Sequence, residues 1–178
     1  IASTISAEGG QLVSKLTYYK FDKDTVEWKS NSVPTLSLCT EISSDGEACI
    51  IGNTKYCMFS SDGQLKYSYD YPSDLVGYSS SGDVTALVQN NSERRSTTLT
   101  VISKDKPVDI TVNNEYKNVH IKNGKAFIMT DKELITYSPE GKMLATAQLS
   151  KEYSDFAVVD DNVFLLSGSF VDGIDFKS

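Results

Sequence analysis

The stretch FSSDGQLKYSYDYP, from Phe59 to Pro72, reads as strand, tight Asp-Gly turn, strand and an exit marked by proline. Versions of it return at Phe21 (FDKDTVEWKSNS), Ile102 (ISKDKPVDITVNN) and Tyr137 (YSPEGKMLATAQLS). Such a recurrence constrains the fold more than composition does, because self-similarity at a fixed spacing means stacked copies of one supersecondary unit. An inner turn can be followed as Glu8-Gly9, Asp45-Gly46, Ser81-Gly82, Asn123-Gly124 and Asp161-Asn162, in steps of 37, 36, 42 and 38 residues. No long stretch keeps an i, i+3, i+4 apolar face. Nearly every segment instead carries a short β-branched or aromatic run bounded by Gly, Asp, Asn or Pro. The chain is expected to be all-β.

Each inner turn is followed by a short apolar strand: Gln11–Ser14, Glu47–Ile51, Val84–Gln89, Lys125–Met129 and Val163–Leu166. A second turn leads to a strand ending on a large residue, Phe21, Phe59, Ile102, Tyr137 or Phe176. A third turn, at Lys23-Asp24, Asp62-Gly63, Lys104-Asp105 and Glu140-Gly141, opens the outer strand. Four short antiparallel strands per repeat, at a period near 40, predict β-propeller blades. The patterning agrees. In KYCMFSS both parities are apolar, as in a strand packed on two faces, whereas QLKYSYD mixes in polar residues as an edge strand does.

The spacing of Ile42-Ser43, Asp45-Gly46, Phe59, Asp62-Gly63, Leu65 and Tyr67 resembles the blade repeat of PQQ-like, quinoprotein-type propellers. It is also similar to the related repeats of bacterial cell-surface propellers. In the quinoprotein dehydrogenases a repeated tryptophan-docking motif ties blade to blade. FDKDTVEW is similar to that motif in Asp22, Thr25 and Trp28 but lacks its glycine, and the other repeats put Tyr67, Val108 or Leu144 near the tryptophan position. Trp28 is therefore expected to pack. The vicinal cysteines that some of these enzymes stack on their cofactor are also missing, and no cofactor is expected.

Counting gives blades at about 3–34, 35–74, 75–115, 116–153 and 154–178, the first opening on an innermost strand near Ser3. The fifth breaks off after its third strand, at Phe176 to Ser178. Four and three-quarter blades suggest part of a larger propeller, or one that a second copy completes by self-association. The alternative is a five-bladed ring whose termini pair differently.

The formal charge of −7 and pI near 4.7 argue against a nucleic-acid partner, which needs a basic stripe. The apolar runs are strand-sized, so no membrane insertion of this segment is expected. A chain opening at Ile1, rich in Ser, Thr, Asn and Tyr, suits a processed bacterial extracytoplasmic domain, secreted or anchored at the cell surface. Cys39, Cys49 and Cys57 are odd in number and expected to be reduced, although a Cys49–Cys57 hairpin bridge has plausible spacing.

Catalytic and metal chemistry find little support. His120, in NVHIKNG, would have to anchor any Ser-His or Cys-His arrangement, and an isolated strand histidine is more often structural. No Cys/His spacing suits zinc. DKDTVE, Asp22 to Glu27, lacks the glycine and terminal ligand of a calcium loop. No pair of carboxylates is singled out for glycoside hydrolysis.

Binding is expected on the face formed by blade-to-blade crossings and second-to-third-strand loops. Two features mark it. The interval from inner turn to large third-strand residue is 12 or 13 residues in three repeats but 20 in the third. The extra residues, in QNNSERRST, carry both arginines of the protein, so Asn91, Arg94 and Arg95 could hold a carboxylate or an acidic partner through the guanidinium fork. Asn90-Asn91-Ser92 is also a glycosylation sequon. Each crossing from the second blade onward carries a tyrosine, Tyr71, Tyr116 and Tyr153, suited either to recognition or to packing. The function expected is a non-enzymatic, extracytoplasmic binding or scaffold module for protein, peptide or glycan. The alternative is a propeller hydrolase or quinone-linked oxidoreductase.

Overall fold

The computed structural model describes residues 1–20, 25–43, 45–160 and 162–175. Its elements are eighteen strands in five antiparallel sheets, each a meander in which consecutive strands pair. The all-β, partial-propeller class read from the sequence is the one found. The chain forms two compact units, Ile1–Asp74 and Leu75–Ser178.

In the first unit, β1 (Ala2–Glu8), β2 (Gln11–Lys20) and β3 (Thr25–Lys29) form one sheet, and β4 (Ser37–Ile42), β5 (Ala48–Gly52), β6 (Lys55–Phe59) and β7 (Leu65–Asp70) form the next. The first sheet corrects the sequence reading, because β2 runs unbroken where a second turn was expected after Ser14. Gln11–Lys20 contains no Gly, Pro, Asn or Asp, so nothing in it stops the ladder. The first sheet therefore has three described strands, in the order β1-β2-β3, where the sequence reading counted four in this repeat. Phe21 and the Lys23-Asp24 turn lie outside the described residues.

The second unit holds β8 (Asp74–Ser81), β9 (Val84–Asn91), β10 (Ser96–Ser103) and β11 (Lys106–Val112) in its first sheet. β12 (Tyr116–Lys122), β13 (Lys125–Thr130), β14 (Glu133–Tyr137) and β15 (Met143–Gln148) make the next. The last has three described strands, β16 (Asp155–Val159), β17 (Asn162–Ser167) and β18 (Phe170–Asp175). Asp161 and Phe176 lie outside the described residues.

Turn chemistry sets the registers. Asn123-Gly124 and Lys104-Asp105 have both central residues at positive φ, between 49° and 70°, the primed geometry that matches strand twist. Ser60 to Gln64 and Ser138 to Lys142 are longer turns. In each a serine carbonyl accepts from the glycine N–H three residues on, at 2.9 Å for both Gly63 and Gly141.

Sheets pack face to face through the paired inner strands. In the first unit Leu16 and Val33 meet Ala48, Ile50, Cys57 and Phe59. In the second, Val84, Ala86, Val88, Leu99 and Val101 meet Ala126, Ile128, Ile135 and Tyr137. Positions 48, 50, 57 and 59 repeat as 126, 128, 135 and 137, so one blade contact is written twice. Full burial of a Leu, Ile or Phe contributes about 1.5–3 kcal/mol, which makes these faces the main source of stability. A second device also repeats. Trp28 on β3 lies against Gly63, and Val108 on β11 against Gly141, so that a Cβ on either glycine would come within 2.7 Å and 2.5 Å of those side chains. Trp28 also stacks on Tyr18 at 5.7 Å. Its role is to join an outer strand to the next sheet's turn.

The cysteines are free. Cys49 pairs with Met58 and Cys57 with Ile50, so the register sends the two thiols to opposite faces of the hairpin and excludes the bridge between them. Burial raises both thiol pKa values to about 11.

Candidate functional site

Crossings and second-to-third-strand turns meet through a side-chain clasp that repeats in both units. Asn53 begins the turn between β5 and β6; its Oδ1 accepts from Leu36 N–H at 2.8 Å, and its own N–H donates to Leu36 O at 2.9 Å. Asp131, at the start of the β13–β14 turn, does the same with Glu115, at 3.1 Å and 2.8 Å. The clasps pair backbone groups that a connecting loop would otherwise leave to solvent. The sequence reading passed over them. Their signal was an Asn or Asp at the same turn position in two repeats, in GNTK and TDKE.

The third repeat builds this loop differently. β9 and β10 have eight residues each, against five or six in β5, β6, β13 and β14, and they pair without interruption from Val84↔Ser103 to Asn91↔Ser96. The extra residues therefore lengthen a ladder, carrying its tip about 7–10 Å farther out at the usual strand rise. Asn91 Oδ1 accepts from Arg94 N–H at 2.9 Å, and Arg95 takes a left-handed φ of 49°, which closes the loop over 92–95. Glu93, Arg94 and Arg95 are exposed there. Farther down, Gln89 Nε2 donates to Thr100 Oγ1 at 2.8 Å, and Thr100 Oγ1 donates to Asp109 at 2.7 Å, a polar strip beneath the tip.

Asn91, Arg94 and Arg95 thus gather on one hairpin end, while the three tyrosines stand at separate crossings. Tyr71 N–H donates to Thr54 O at 3.1 Å and its ring tilts against Tyr69 at 6.1 Å; burial raises its phenol pKa. Tyr116 lies across Gly77, where any Cβ would strike its hydroxyl, and burial raises its pKa to about 12. Tyr153 is buried with Phe127, Met129 and Phe156. Its hydroxyl donates to Asp172 at 2.8 Å, Lys151 Nζ meets the same carboxylate at 2.7 Å, and those two partners lower the Asp172 pKa.

His120 stands edge-on to Phe156 at 4.7 Å, with Nε2 3.8 Å from Asp155. Asp155 already accepts from the Asn118 amide and from Phe156 N–H. Among the described residues, no group of three His, Cys, Asp or Glu could hold a metal ion, and no helix is long and apolar enough to cross a membrane. Asp22 and Asp24 of the carboxylate-rich turn lie outside the described residues.

The fold and its loop face define a β-propeller protein. Residues 1–176 match the family of unknown function DUF5711, and the chain belongs to it. No curated protein matches the sequence. Among solved structures the chain is similar to BamB from Moraxella catarrhalis, with TM-score 0.64 and 12% identity over 98% of this chain and 63% of that one. It is similar to BBS1N in complex with ARL6DN, with TM-score 0.62 and 6% identity over 95% and 62%. It is also similar to Sqt1 of Saccharomyces cerevisiae, with TM-score 0.54 and 9% identity over 87% and 52%. The chain thus spans less than two thirds of each, and at these identities the likeness is one of fold.

Proposed function

We propose that the chain is a non-enzymatic binding or scaffold module of a bacterial extracytoplasmic surface protein. It recognises an acidic segment of a partner protein or peptide through the β9–β10 tip. The carrying observation is the extended β9–β10 ladder, which carries both arginines of a net-acidic chain on its tip. Two forked guanidiniums on one hairpin suit carboxylates, and Asn91 shapes the loop that presents them. Tyr71, Tyr116 and Tyr153 hold three separate crossings between blades. A propeller of similar fold, BBS1N, forms a complex with ARL6DN, which supports protein recognition as a use of this architecture. The Ser, Thr, Asn and Tyr content supports the extracytoplasmic placement.

The test is fluorescence anisotropy with a labelled octaglutamate peptide at low ionic strength. Binding should weaken about tenfold or more in R94A/R95A and fall with added salt. Equal binding by the double variant, or none by the native chain, overturns the assignment.

A further inference from the structure

The fifth sheet has two apolar faces, and one of them is open. Phe156, Val158, Val163, Leu165 and Ile174 pack toward Phe127, Met129 and Leu134 of the fourth sheet. On the opposite face, cross-strand pairing aligns Ala157 with Phe164, and Leu166 with Val171. Exposure there is 52% for Val159, 40% for Phe164, 38% for Leu166 and 62% for Val171. An antiparallel sheet with one solvated face ordinarily alternates apolar and polar residues; β17 instead runs Val163-Phe164-Leu165-Leu166, with Asp155 and Asn162 sharing the open face opposite Leu166 and Val159.

The open face repeats a face that is covered elsewhere. KAFIMT on β13 and NVFLLS on β17 align so that Phe127 matches Phe164 and Met129 matches Leu166. Phe127 and Met129 are 7% and 0% exposed because the fifth sheet lies on them. We propose that Phe164, Leu166, Val159 and Val171 form a blade-docking face. Its occupant is a further four-stranded blade joined to the same polypeptide, presenting the small-then-large pattern of Ala126, Ile128, Ile135 and Tyr137.

Area selects the linked blade over a second copy. The exposed fractions amount to on the order of 300–400 Å² of apolar side chain, whereas two free proteins need about 800 Å² per partner for a stable interface. A blade held by a short connection meets the face at high effective concentration and needs far less. The first sheet of a second copy also offers the wrong surface. Its side away from the second sheet carries Thr4, Ser6, Lys15 and Thr17 around one buried valine, Val13, in place of the small-then-large apolar pattern. This inference is independent of the arginine tip.

The test is iodoacetamide labelling of F164C, read by peptide mass spectrometry, in the 178-residue chain alone and in the polypeptide as its gene encodes it. The chain alone should be monomeric by light scattering and label rapidly at position 164. The gene-encoded polypeptide should label there at least about tenfold more slowly. Amide exchange along β17 of the unsubstituted proteins should slow in parallel, which keeps the test valid if F164C folds poorly. Equal rates in the two molecules overturn the proposal. So does a dimer of the chain alone that F164S/L166S dissociates, since the occupant would then be a second copy.

Discussion

Replacing Gly63 by alanine tests how an outer strand is joined to the next sheet. The cost has two parts. Gly63 sits at φ +83°, and a left-handed conformation costs an L-residue about 1–2 kcal/mol. The added Cβ would also lie 2.7 Å from Trp28 Cε3 and 3.0 Å from Cδ2, so the indole must shift, and overpacking of this kind costs about 1–3 kcal/mol. Gly46 provides the control. Its φ of +81° is nearly the same, but its Cβ would meet Ser61 at an ordinary 3.4 Å. Urea unfolding followed by circular dichroism should therefore show G63A more destabilising than G46A by about 1–2 kcal/mol. In a W28A background that excess should vanish, leaving a coupling energy of similar size. Equal losses for G63A and G46A, or an excess that survives W28A, would refute the joint as described. Native fluorescence gives a second readout, since Trp28 is the sole tryptophan and its emission should shift in G63A but not in G46A.

Thiol labelling at pH 8 should proceed at Cys39 first and reach Cys49 and Cys57 only on unfolding, because burial holds those two near pKa 11; mass spectrometry of alkylated peptides reads the order. The Asp172 carboxyl should titrate below the ordinary 3.8 by NMR, since the Lys151 ammonium and the Tyr153 hydroxyl favour its charged form. A depressed carboxylate pKa contributes stability above its unfolded value and loses it as pH falls through the folded one. Y153F should thus raise the Asp172 pKa and weaken this acid-sensitive contribution.

The period, the turns and the two-faced inner strands were legible because each has a local chemical cause: a glycine or aspartate at a fixed offset, or apolar residues at both parities. What escaped the sequence depended on comparison across distance. The continuous β2 was obscured by the regularity of the other repeats, which suggested a turn that no residue between Gln11 and Lys20 supports. QNNSERRST reads equally as a loose loop or a longer ladder, and the uninterrupted pairing from Val84 to Asn91 decides for the ladder. The tyrosines at the crossings have the composition of a binding surface, yet Tyr116 over Gly77 and Tyr153 on Asp172 are also packing arrangements. The open face of β17 was beyond reach, because VFLL has one spelling whether its second face is covered or bare.

The ladder beneath Arg94 and Arg95 separates the fate of the tip from that of the domain. Its last pair, Asn91↔Ser96, stands well outside the clasp level, so residues 92–95 can change length with little effect on the packed strands below. Lengthening such a closed loop costs only about 0.6 kcal/mol per doubling. Foreign peptides spliced between Asn91 and Ser96 would then be displayed on a rigid post, making the domain a natural carrier for grafted epitopes.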